Sequence, residues 1–222
     1  GGTDPGEWRP TESFIGTPPS PPSFAPMAVP WLGNVRPFTL KCSAQFRATP
    51  PPPPNSRRYT RAYNEVKAMG ARFNSARTIE ETDLAHFWNL NYPAVWNRAV
   101  RDIAAVHVDN IGDNARLFAA VNLAMGDAII TAWDTKNTYV SWRPLTAIRL
   151  GDDDGNPDTV GDPNWQPLIN NPNYPDHSSG ANNVSAAATR SLALFFGRNR
   201  MTFVVSTTNT TAIQQTRTYH RF

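Results

Sequence analysis

From residue 56 onwards, apolar residues recur at the three- and four-residue spacing of amphipathic α-helices. The first helix is predicted from Ser56 and ends at Gly70, a residue that disfavours helix continuation. The same pattern predicts four further helices. One runs through Leu84, Phe87 and Trp88 after a capping box of Thr78 and Glu81, and the next starts at Pro93 and has Trp96, Ala99, Val100 and Ile103 on one face. The other two run from about Asp113 to Trp133 and from about Ser179 to Phe196.

The remaining segments carry weaker patterns. Lys136 to Ile148 continues as a helix, or as a helix and a turn, because Pro144 interrupts helical hydrogen bonding. Residues 151–175 are rich in Asp, Asn, Gly and Pro and predict a loop. Met201 to Ser206 predicts a strand, and a new helix is expected near Gln214. Since helical patterning dominates residues 56–197, we predict an all-α fold.

Residues 1–55 predict an extended, proline-rich arm. They include Pro18-Pro19-Ser20-Pro21-Pro22 and the run Pro50 to Pro54, which favour polyproline conformation. A free linker would carry fewer aromatic residues, so we expect the arm to lie on the body or on a partner, such as a second copy of the chain. We therefore divide the chain into an arm, 1–55, and a helical domain, 56–222. The aromatic residues of the arm are Trp8, Phe14, Phe24, Trp31, Phe38 and Phe46.

Composition narrows the function classes. The chain has 222 residues, 18% of them charged, and a net charge of +3, which is typical of an ordinary folded protein. Its Lys and Arg residues do not form runs, so nucleic-acid binding is not predicted. Cys42 is the only cysteine, so neither an internal disulfide nor a cysteine metal site can form. We expect no membrane span, because no apolar stretch looks long enough.

Two cations stand out in the run Lys136-Asn137-Thr138-Tyr139-Val140-Ser141-Trp142-Arg143-Pro144. They are seven residues apart, about two helical turns, so on one helix both would reach the same side. A solvated cationic helix face is the alternative interpretation. The neighbouring aromatic residues Trp133, Tyr139 and Trp142 instead favour a partly buried pair, and buried cations need an anionic partner.

A second run, Tyr174-Pro175-Asp176-His177-Ser178-Ser179-Gly180, leads into the apolar helix that starts near Ser179. Free backbone N–H groups at a helix start can bind an anion, and glycine lets a ligand approach the backbone closely. The plainer alternative is that Ser179 only caps the helix. Together the two runs predict a pocket for a small tetrahedral oxyanion, with Lys136, Arg143, Ser179 and Gly180 as its ligands.

These segments resemble the vanadium-dependent haloperoxidases and the type 2 phosphatidic acid phosphatases. That superfamily carries Lys-x6-Arg-Pro, then Pro-Ser-Gly-His, then Ser-Arg-x5-His-x3-Asp. Lys136 to Pro144 matches the first motif at every fixed position. The resemblance extends over roughly residues 30–222 and includes the arm segment from Trp31 to Phe38.

The resemblance implies a helical bundle that holds vanadate, or phosphate in its place. Lys136, Arg143, Ser179 and Gly180 would contact its equatorial oxygens, and none of them would bond the metal directly. In the haloperoxidases, bound vanadate takes up peroxide and oxidises halide; in the phosphatases, the same pocket forms a phosphohistidine. The resemblance also favours a secreted or periplasmic location.

Two departures from the family pattern bear on catalysis. Ser178 replaces the proline of the second motif, and Ala181 stands where the acid–base histidine is expected. His177 is the one nearby candidate for that catalytic role; the alternative is a loop histidine without such a role. No Arg-x5-His follows residue 181, although Arg217 to Phe222 resembles the segment that precedes it in relatives, so we expect the domain to be incomplete at its C-terminus.

Three interpretations therefore stay open. The first is a vanadium haloperoxidase-like enzyme that uses peroxide and halide. The second is a non-catalytic structural or interaction protein on the same fold, which the alanine at position 181 favours. The third is an acid phosphatase, which uses the same anion pocket but equally requires the missing histidine. Fold alone cannot choose among them.

Overall fold

A computed structural model describes residues 2–11 and 26–222 of the chain. The predictions for Phe14, Pro18 to Pro22 and Phe24 lie outside the described residues. The chain divides into two compact units, each assembled from three separate segments. The first unit contains Gly1–Gly33, Arg47–Thr78 and Trp133–Ser178; the second contains Asn34–Phe46, Ile79–Ala132 and Ser179–Phe222.

Helices dominate the described chain. The α-helices are α1 (Arg57–Gly70), α2 (Ile79–Phe87), α3 (Tyr92–His107), α4 (Ile111–Tyr139), α5 (Pro144–Arg149) and α6 (Gly180–Phe196). Short 3-10 helices cover Pro30–Asn34, Ser43–Phe46 and Gly151–Asp153. Two strands, β1 (Arg200–Ser206) and β2 (Thr216–Arg221), follow α6. The predicted helical fold is confirmed.

Local sequence signals explain where the helices begin and end. The Ser56 hydroxyl accepts a hydrogen bond from the Tyr59 N–H at the start of α1, and the Asn91 side chain does the same for Ala94 at the start of α3. Each cap satisfies one of the N–H groups that a helix start leaves free. Helix α6 ends where Gly197 adopts a left-handed conformation, with φ of 66°.

The second unit contains the larger apolar core. Helices α3, α4 and α6 and strand β1 contribute buried faces to one cluster, with α3 packing on both α6 and β1. The predicted face of α3 is buried as expected. Core members include Trp96, Val100, Leu117, Val121, Val184, Leu192 and Phe203.

The first unit has a smaller core around α1 and α5. Tyr63, Ala71, Leu145, Ile148 and Trp165 are its buried members. The Tyr63 hydroxyl donates towards the carbonyl oxygens of Ile148, at 3.2 Å, and Val160, at 2.9 Å. Burial, followed by the nearby Asp154 carboxylate, raises the pKa of Tyr63 to about 12. The loop after α5 is therefore fixed to α1 by a phenol that stays protonated.

The prediction of a helix near Gln214 is wrong, because the chain there leads into strand β2. It pairs antiparallel with β1, and Phe203 lies opposite Tyr219 while Val205 lies opposite Arg217. The aromatic rings of Phe203 and Tyr219 stack with their centroids 5.7 Å apart. Cross-strand packing of this kind stabilises the hairpin. The fold is thus a helical bundle with one small hairpin.

The segment from Lys136 to Ile148 is a helix and a turn, as one of the two predicted alternatives stated. Helix α4 ends at Tyr139, and Val140 follows in a left-handed conformation with φ of 44°. The chain leaves the helix axis here because a left-handed residue cannot continue a right-handed helix. A β-branched residue rarely adopts this conformation. Arg143 then precedes Pro144, which occupies the first turn of α5.

Helix α4 is long and apolar enough to cross a membrane by length and composition alone. The expectation that no apolar stretch is long enough to cross a membrane is therefore wrong. A core helix passes the same test, and Leu117, Val121 and Met125 of α4 are buried in the apolar cluster of the second unit.

Residues of the predicted arm differ in their surroundings. Trp8 is buried in the first unit, and its N–H donates to the Val140 carbonyl at 2.7 Å. Trp31, Phe38 and Phe46 are exposed. The division into an arm, 1–55, and a domain, 56–222, stays a prediction, as does a role of the arm in binding a partner.

Candidate functional site

Lys136 and Arg143 lie close to each other in the first unit, although they do not share a helix. Lys136 is in the last turn of α4, and Arg143 immediately precedes α5. Both cations lie near the Tyr174 ring: the Lys136 Nζ is 5.0 Å and the Arg143 Cζ is 5.2 Å from the ring centroid. The turn between the helices, rather than helical periodicity, brings the two charges to one ring. Such cation–π contacts partly compensate a buried cation for lost water.

Lys136 is almost completely buried, with 1% of its surface exposed. Its ammonium group donates to the carbonyl oxygens of Pro175, at 2.8 Å, and Asp176, at 2.7 Å. Burial, followed by the positive charge of Arg143, lowers the pKa of Lys136 to about 8, although the Asp176 carboxylate opposes the shift. The Lys136 charge therefore depends on pH within an accessible range.

Arg143 is held by three groups of the loop that precedes α6. Its Nε donates to the Asn171 side-chain oxygen at 2.7 Å, and its Nη1 donates to the Tyr174 carbonyl at 3.3 Å. Its Nη2 lies 3.6 Å from the Asp176 carboxylate, whose side chain is about half exposed. One carboxylate thus faces two cations, and this part of the first unit carries an excess positive charge.

This donor set fits a small oxyanion. An ammonium group has three N–H donors, and the two carbonyl contacts of Lys136 use two of them. A planar guanidinium has five donors in a geometry that suits the oxygens of phosphate or vanadate. The uncompensated positive charge favours the binding of such an anion, because buried cations are normally paired.

Residues next to α4 hold its last turns in place. The Arg47 guanidinium forms a two-point ion pair with Asp134, with Nε–Oδ2 at 2.7 Å and Nη2–Oδ1 at 2.9 Å. The Tyr139 hydroxyl donates to the Ala48 carbonyl at 3.0 Å. Because these contacts flank Lys136, they fix the backbone from which its side chain extends.

His177 is also in the first unit. Its Nε2 lies 2.8 Å from the Thr49 carbonyl oxygen, and its ring lies 5.8 Å from the Tyr139 ring. Because a carbonyl only accepts, Nε2 carries the proton in this contact. Among the residues that the structure describes, no contact joins His177 to Lys136 or Arg143. A catalytic role of His177 stays a prediction.

Ser179 and Gly180 belong to the second unit, where they begin helix α6. The Ser179 hydroxyl accepts a hydrogen bond from the Asn182 N–H at 3.2 Å, which is the capping role that the plainer interpretation predicts. Ala181 borders a cavity of about 560 Å³ in the same unit, beside Trp88 and Trp96. Anion binding by Ser179 and Gly180 stays a prediction.

The predicted site residues did not include Tyr174, Asp176 or Asn171. All three contact Lys136 or Arg143, and Tyr174 and Asp176 stand in the run that was singled out for Ser179 and Gly180. An aromatic residue and a carboxylate in such a run are the signal that could have identified them, because both residue types bind cations.

Comparisons with known proteins agree with this fold. The family model of the VCPO second helical-bundle domain matches residues 116–220. The vanadium chloroperoxidase of Curvularia inaequalis is 30% identical over 65% of this chain, and the match covers 27% of that protein.

Two solved bacterial structures are similar over nearly the whole chain. A vanadium-dependent iodoperoxidase matches with a TM-score of 0.78 and 26% identity, over 99% of this chain and 52% of its own. The holo form of a vanadium-dependent chloroperoxidase matches with a TM-score of 0.72 and 17% identity, over 98% of this chain and 52% of its own; that likeness concerns the fold alone.

The chain thus spans about half the length of these solved structures and about a quarter of the curated relative. Within that span, three comparisons point to the vanadium haloperoxidases: the helical-bundle domain match, the curated chloroperoxidase and the iodoperoxidase structure. The chain is therefore a vanadium haloperoxidase-like protein with the helical-bundle fold of that family.

Proposed function

We propose that the protein binds a small tetrahedral oxyanion, vanadate or phosphate, through Lys136 and Arg143. The observation that carries the proposal is the pair of cations beside the Tyr174 ring, with Asp176 as the one carboxylate in contact with them among the described residues. Anion binding by Ser179 and Gly180, which the sequence motif implies, is kept as a separate prediction.

Each of the two cations contributes differently to this binding. Lys136 is buried and places a point charge at a fixed position, because two carbonyl oxygens hold its ammonium group. Arg143 offers paired donors, and Asn171 fixes the plane of its guanidinium through Nε. A bound anion would compete with Asp176 for Arg143, and the half-exposed Asp176 side chain can turn towards solvent.

The reaction that the family resemblance implies is peroxide-dependent oxidation of halide. Bound vanadate would supply the peroxide-activating chemistry, while the protein supplies the positive charge that holds it. The resemblance also calls for an Arg-x5-His motif, which residues 182–222 do not contain. We therefore propose oxyanion binding for this chain, and halide oxidation for a protein in which that histidine is supplied.

A non-catalytic structural role is the second candidate, and Ala181 is the observation that favours it. An alanine cannot transfer a proton, and it stands at the family's acid–base position. A phosphatase activity, the third interpretation, needs the same missing histidine as a nucleophile, and no contact in the described residues favours it over the first two.

Calorimetric titration with phosphate and with vanadate at pH 7 tests the proposal. We expect Lys136→Met and Arg143→Met each to weaken binding at least about tenfold, because each removes a charge-assisted contact. Arg58→Met, which removes an exposed cation of α1 in the same unit, is the matched control and should bind as the parent does.

Two outcomes would decide between the candidates. Binding that is lost in both variants but kept in the control supports the oxyanion site. Absence of binding to the parent protein, or equal binding by the parent and both variants, would contradict it and leave the structural role as the better interpretation.

A further inference from the structure

Four exposed arginines surround the junction of helix α6 and the β1–β2 hairpin in the second unit. Arg190 and Arg221 line the same cavity, whose volume is about 230 Å³. Arg221 also lies opposite Arg200 in the antiparallel pairing of the strands. Arg198 directly precedes Asn199, which is another residue of the cavity wall. We call these four residues, Arg190, Arg198, Arg200 and Arg221, the arginine cluster.

The arginine cluster carries positive charge that no carboxylate neutralises within residues 2–11 and 26–222. None of its four side chains forms an ion pair or a hydrogen bond with that part of the chain. By contrast, Arg116 and Arg217 of the same unit are both paired with carboxylates. Glu81 borders a different cavity together with Arg221, but no ion pair joins the two. The cluster is therefore open to an external anion.

The strand pairing places two of these charges next to each other. Residues that face each other in an antiparallel pair have Cβ atoms about 4.5–5.5 Å apart, and like charges at such positions are destabilising. Arg200 and Arg221 occupy positions of this kind. An anion that contacts both guanidinium groups would therefore relieve their repulsion in addition to attracting each of them.

The backbone that carries the cluster is fixed by hydrogen bonds. The Arg198 N–H donates to the Ala193 carbonyl at 3.1 Å, and the Phe222 N–H donates to the Asn199 carbonyl at 3.0 Å. The Phe222 ring packs on the Phe203 ring, with the centroids 5.3 Å apart. Binding of a ligand would thus have to order the arginine side chains but not the chain that carries them, which lowers its entropic cost.

The residues of the cavity wall indicate the class of ligand. The guanidinium groups of Arg190 and Arg221 have planar sets of donors that match phosphate oxygens, and the Asn199 amide has two further N–H donors. No Asp or Glu of the described residues lines this cavity. Its volume of about 230 Å³ exceeds the roughly 150 Å³ that accommodates benzene, so a phosphate group has room.

A single phosphate in the cavity would not engage the whole cluster. Arg198 and Arg200 are not part of the cavity wall, although one adjoins Asn199 and the other faces Arg221. A ligand that contacts all four arginines must therefore extend out of the cavity and carry negative charge along its length. Linked phosphates meet both requirements, because each phosphate of the chain adds charge and acceptor oxygens.

We propose that the arginine cluster binds a polyphosphate group, which is a chain of two or three linked phosphates, either free or esterified to an organic molecule. One phosphate lies in the cavity between Arg190 and Arg221, and the following phosphates extend towards Arg200 and Arg198. This site goes beyond the proposed oxyanion function and does not depend on it, since it shares no residue with the pair of Lys136 and Arg143.

Calorimetric titration of the full chain with tripolyphosphate at pH 7 tests the proposal. The double variant Arg190→Gln, Arg221→Gln should weaken tripolyphosphate binding at least about tenfold, because it removes two charge-assisted contacts. Both side chains are exposed, so the fold should persist, and circular dichroism of the variant checks this.

The double variant Arg36→Gln, Arg101→Gln is the matched control. It removes the same amount of charge from exposed positions of the same unit that do not line the cavity. It should bind tripolyphosphate as the parent does. Equal weakening in the two double variants would show a general attraction by net charge and would overturn the proposal.

Repeating the titrations in the Arg143→Met protein separates this site from the proposed oxyanion site. Tripolyphosphate binding should persist there and should still depend on Arg190 and Arg221, whether or not the parent binds orthophosphate or vanadate. Loss of tripolyphosphate binding in Arg143→Met alone would place the ligand at the other site and contradict the proposal.

Two further probes test the class of ligand. A peptide of six glutamates should bind at least about tenfold more weakly than tripolyphosphate, because its carboxylates are spaced more widely and carry less charge each. Equal binding of the two would assign the cluster to acidic polypeptides instead. Absence of tripolyphosphate binding to the parent would also overturn the proposal. Comparison of ADP with pyrophosphate then distinguishes an esterified chain from a free one.

Discussion

Arg47 and Asp134 are joined by a two-point ion pair, with nitrogen–oxygen distances of 2.7 and 2.9 Å, although 87 residues separate them in sequence. The Asp134 side chain is 10% exposed and stands two residues before Lys136 on helix α4. A paired guanidinium and carboxylate of this geometry is rigid. The pair therefore fixes the backbone turn that presents Lys136.

Arg47→Ala should lower the free energy of unfolding by about 1–3 kcal/mol, because it leaves a mostly buried carboxylate with fewer donors. Urea unfolding at pH 7 measures the change. Arg47→Lys keeps the charge but not the two-point geometry, so its free energy of unfolding should lie between those of the parent and Arg47→Ala. If Arg47→Ala and Asp134→Asn were additive in the double variant, the two residues would not be coupled.

The charge of Lys136 should make stability depend on pH. Its pKa in the folded protein is about 8, below the ordinary 10.5, so between these values the unfolded chain binds more protons and stability rises with pH. From pH 7.5 to 9.5 we expect the unfolding free energy of the parent to gain about 1–2 kcal/mol relative to Lys136→Met.

Urea unfolding of the parent and Lys136→Met at several pH values measures this difference. Above pH 10 the raised pKa values of Tyr59 and Tyr63 act in the opposite direction, since the unfolded chain then releases protons first. Parallel pH profiles of the two proteins between pH 7.5 and 9.5 would show that Lys136 does not cause the pH dependence of the unfolding free energy.

Tyr174 should act through its ring rather than its hydroxyl. Tyr174→Phe keeps both cation–π contacts and should change the unfolding free energy by less than about 0.5 kcal/mol, whereas Tyr174→Leu removes the ring and should cost about 1–3 kcal/mol. Thermal and urea unfolding at pH 7 compare the two. Equal losses in both variants would assign the effect to the hydroxyl instead.

Asp127 should control acid stability in the second unit. Its carboxylate accepts hydrogen bonds from the N–H groups of Phe38, Thr39 and Leu40 and from the Thr39 hydroxyl. Burial alone would raise its pKa, but these donors outweigh it and hold the pKa below the usual 3.8. The stabilisation is present above pH 3.8 and is lost as pH falls through the folded-state pKa.

Asp127→Ala should therefore lose about 1–3 kcal/mol at pH 7, because three backbone donors lose their acceptor. Its stability should fall less steeply than that of the parent below pH 4. Unfolding followed by circular dichroism at pH 7 and across pH 2–4 measures both effects. An unchanged acid profile would contradict the assignment to Asp127.

Ala181→His restores the residue type that the family motif has at this position. Because Ala181 borders a cavity of about 560 Å³, the imidazole has space, and we expect the unfolding free energy to change by less than about 1 kcal/mol. Urea unfolding measures this, with Ala188→His as the overpacked control, since Ala188 is fully buried in the core. A loss as large as that of the control would show that position 181 has no room.

Much of the fold follows from local sequence signals. Ser56 begins a helix as expected, and Asn91 and Gly197 are capping residues at two further helix boundaries. Strand β2 could not be predicted in this way, because Tyr219 gains its stabilisation from Phe203 and Trp88, which are distant in sequence. Propensity is a weak guide where cross-strand packing decides.

The candidate site was predictable in part. The spacing of Lys136 and Arg143 indicated a pair, and the structure brings them to one ring. Their placement on two elements depends on Val140, whose left-handed conformation no local rule for a β-branched residue would predict. The roles of Tyr174 and Asp176 depend on how the loop before α6 folds back, and loop paths are not encoded by periodicity.

The interleaving of the two units along the chain has a practical meaning for protein dissection. Each unit takes three separate segments, and the boundary between them passes through helix α4, between Ala132 and Trp133. No single cut in the polypeptide yields either unit intact, because no contiguous fragment contains all three segments of one unit without segments of the other. Excision of one contiguous fragment should therefore fail to give a folded unit, and isolating a unit would require new linkers that join its three segments.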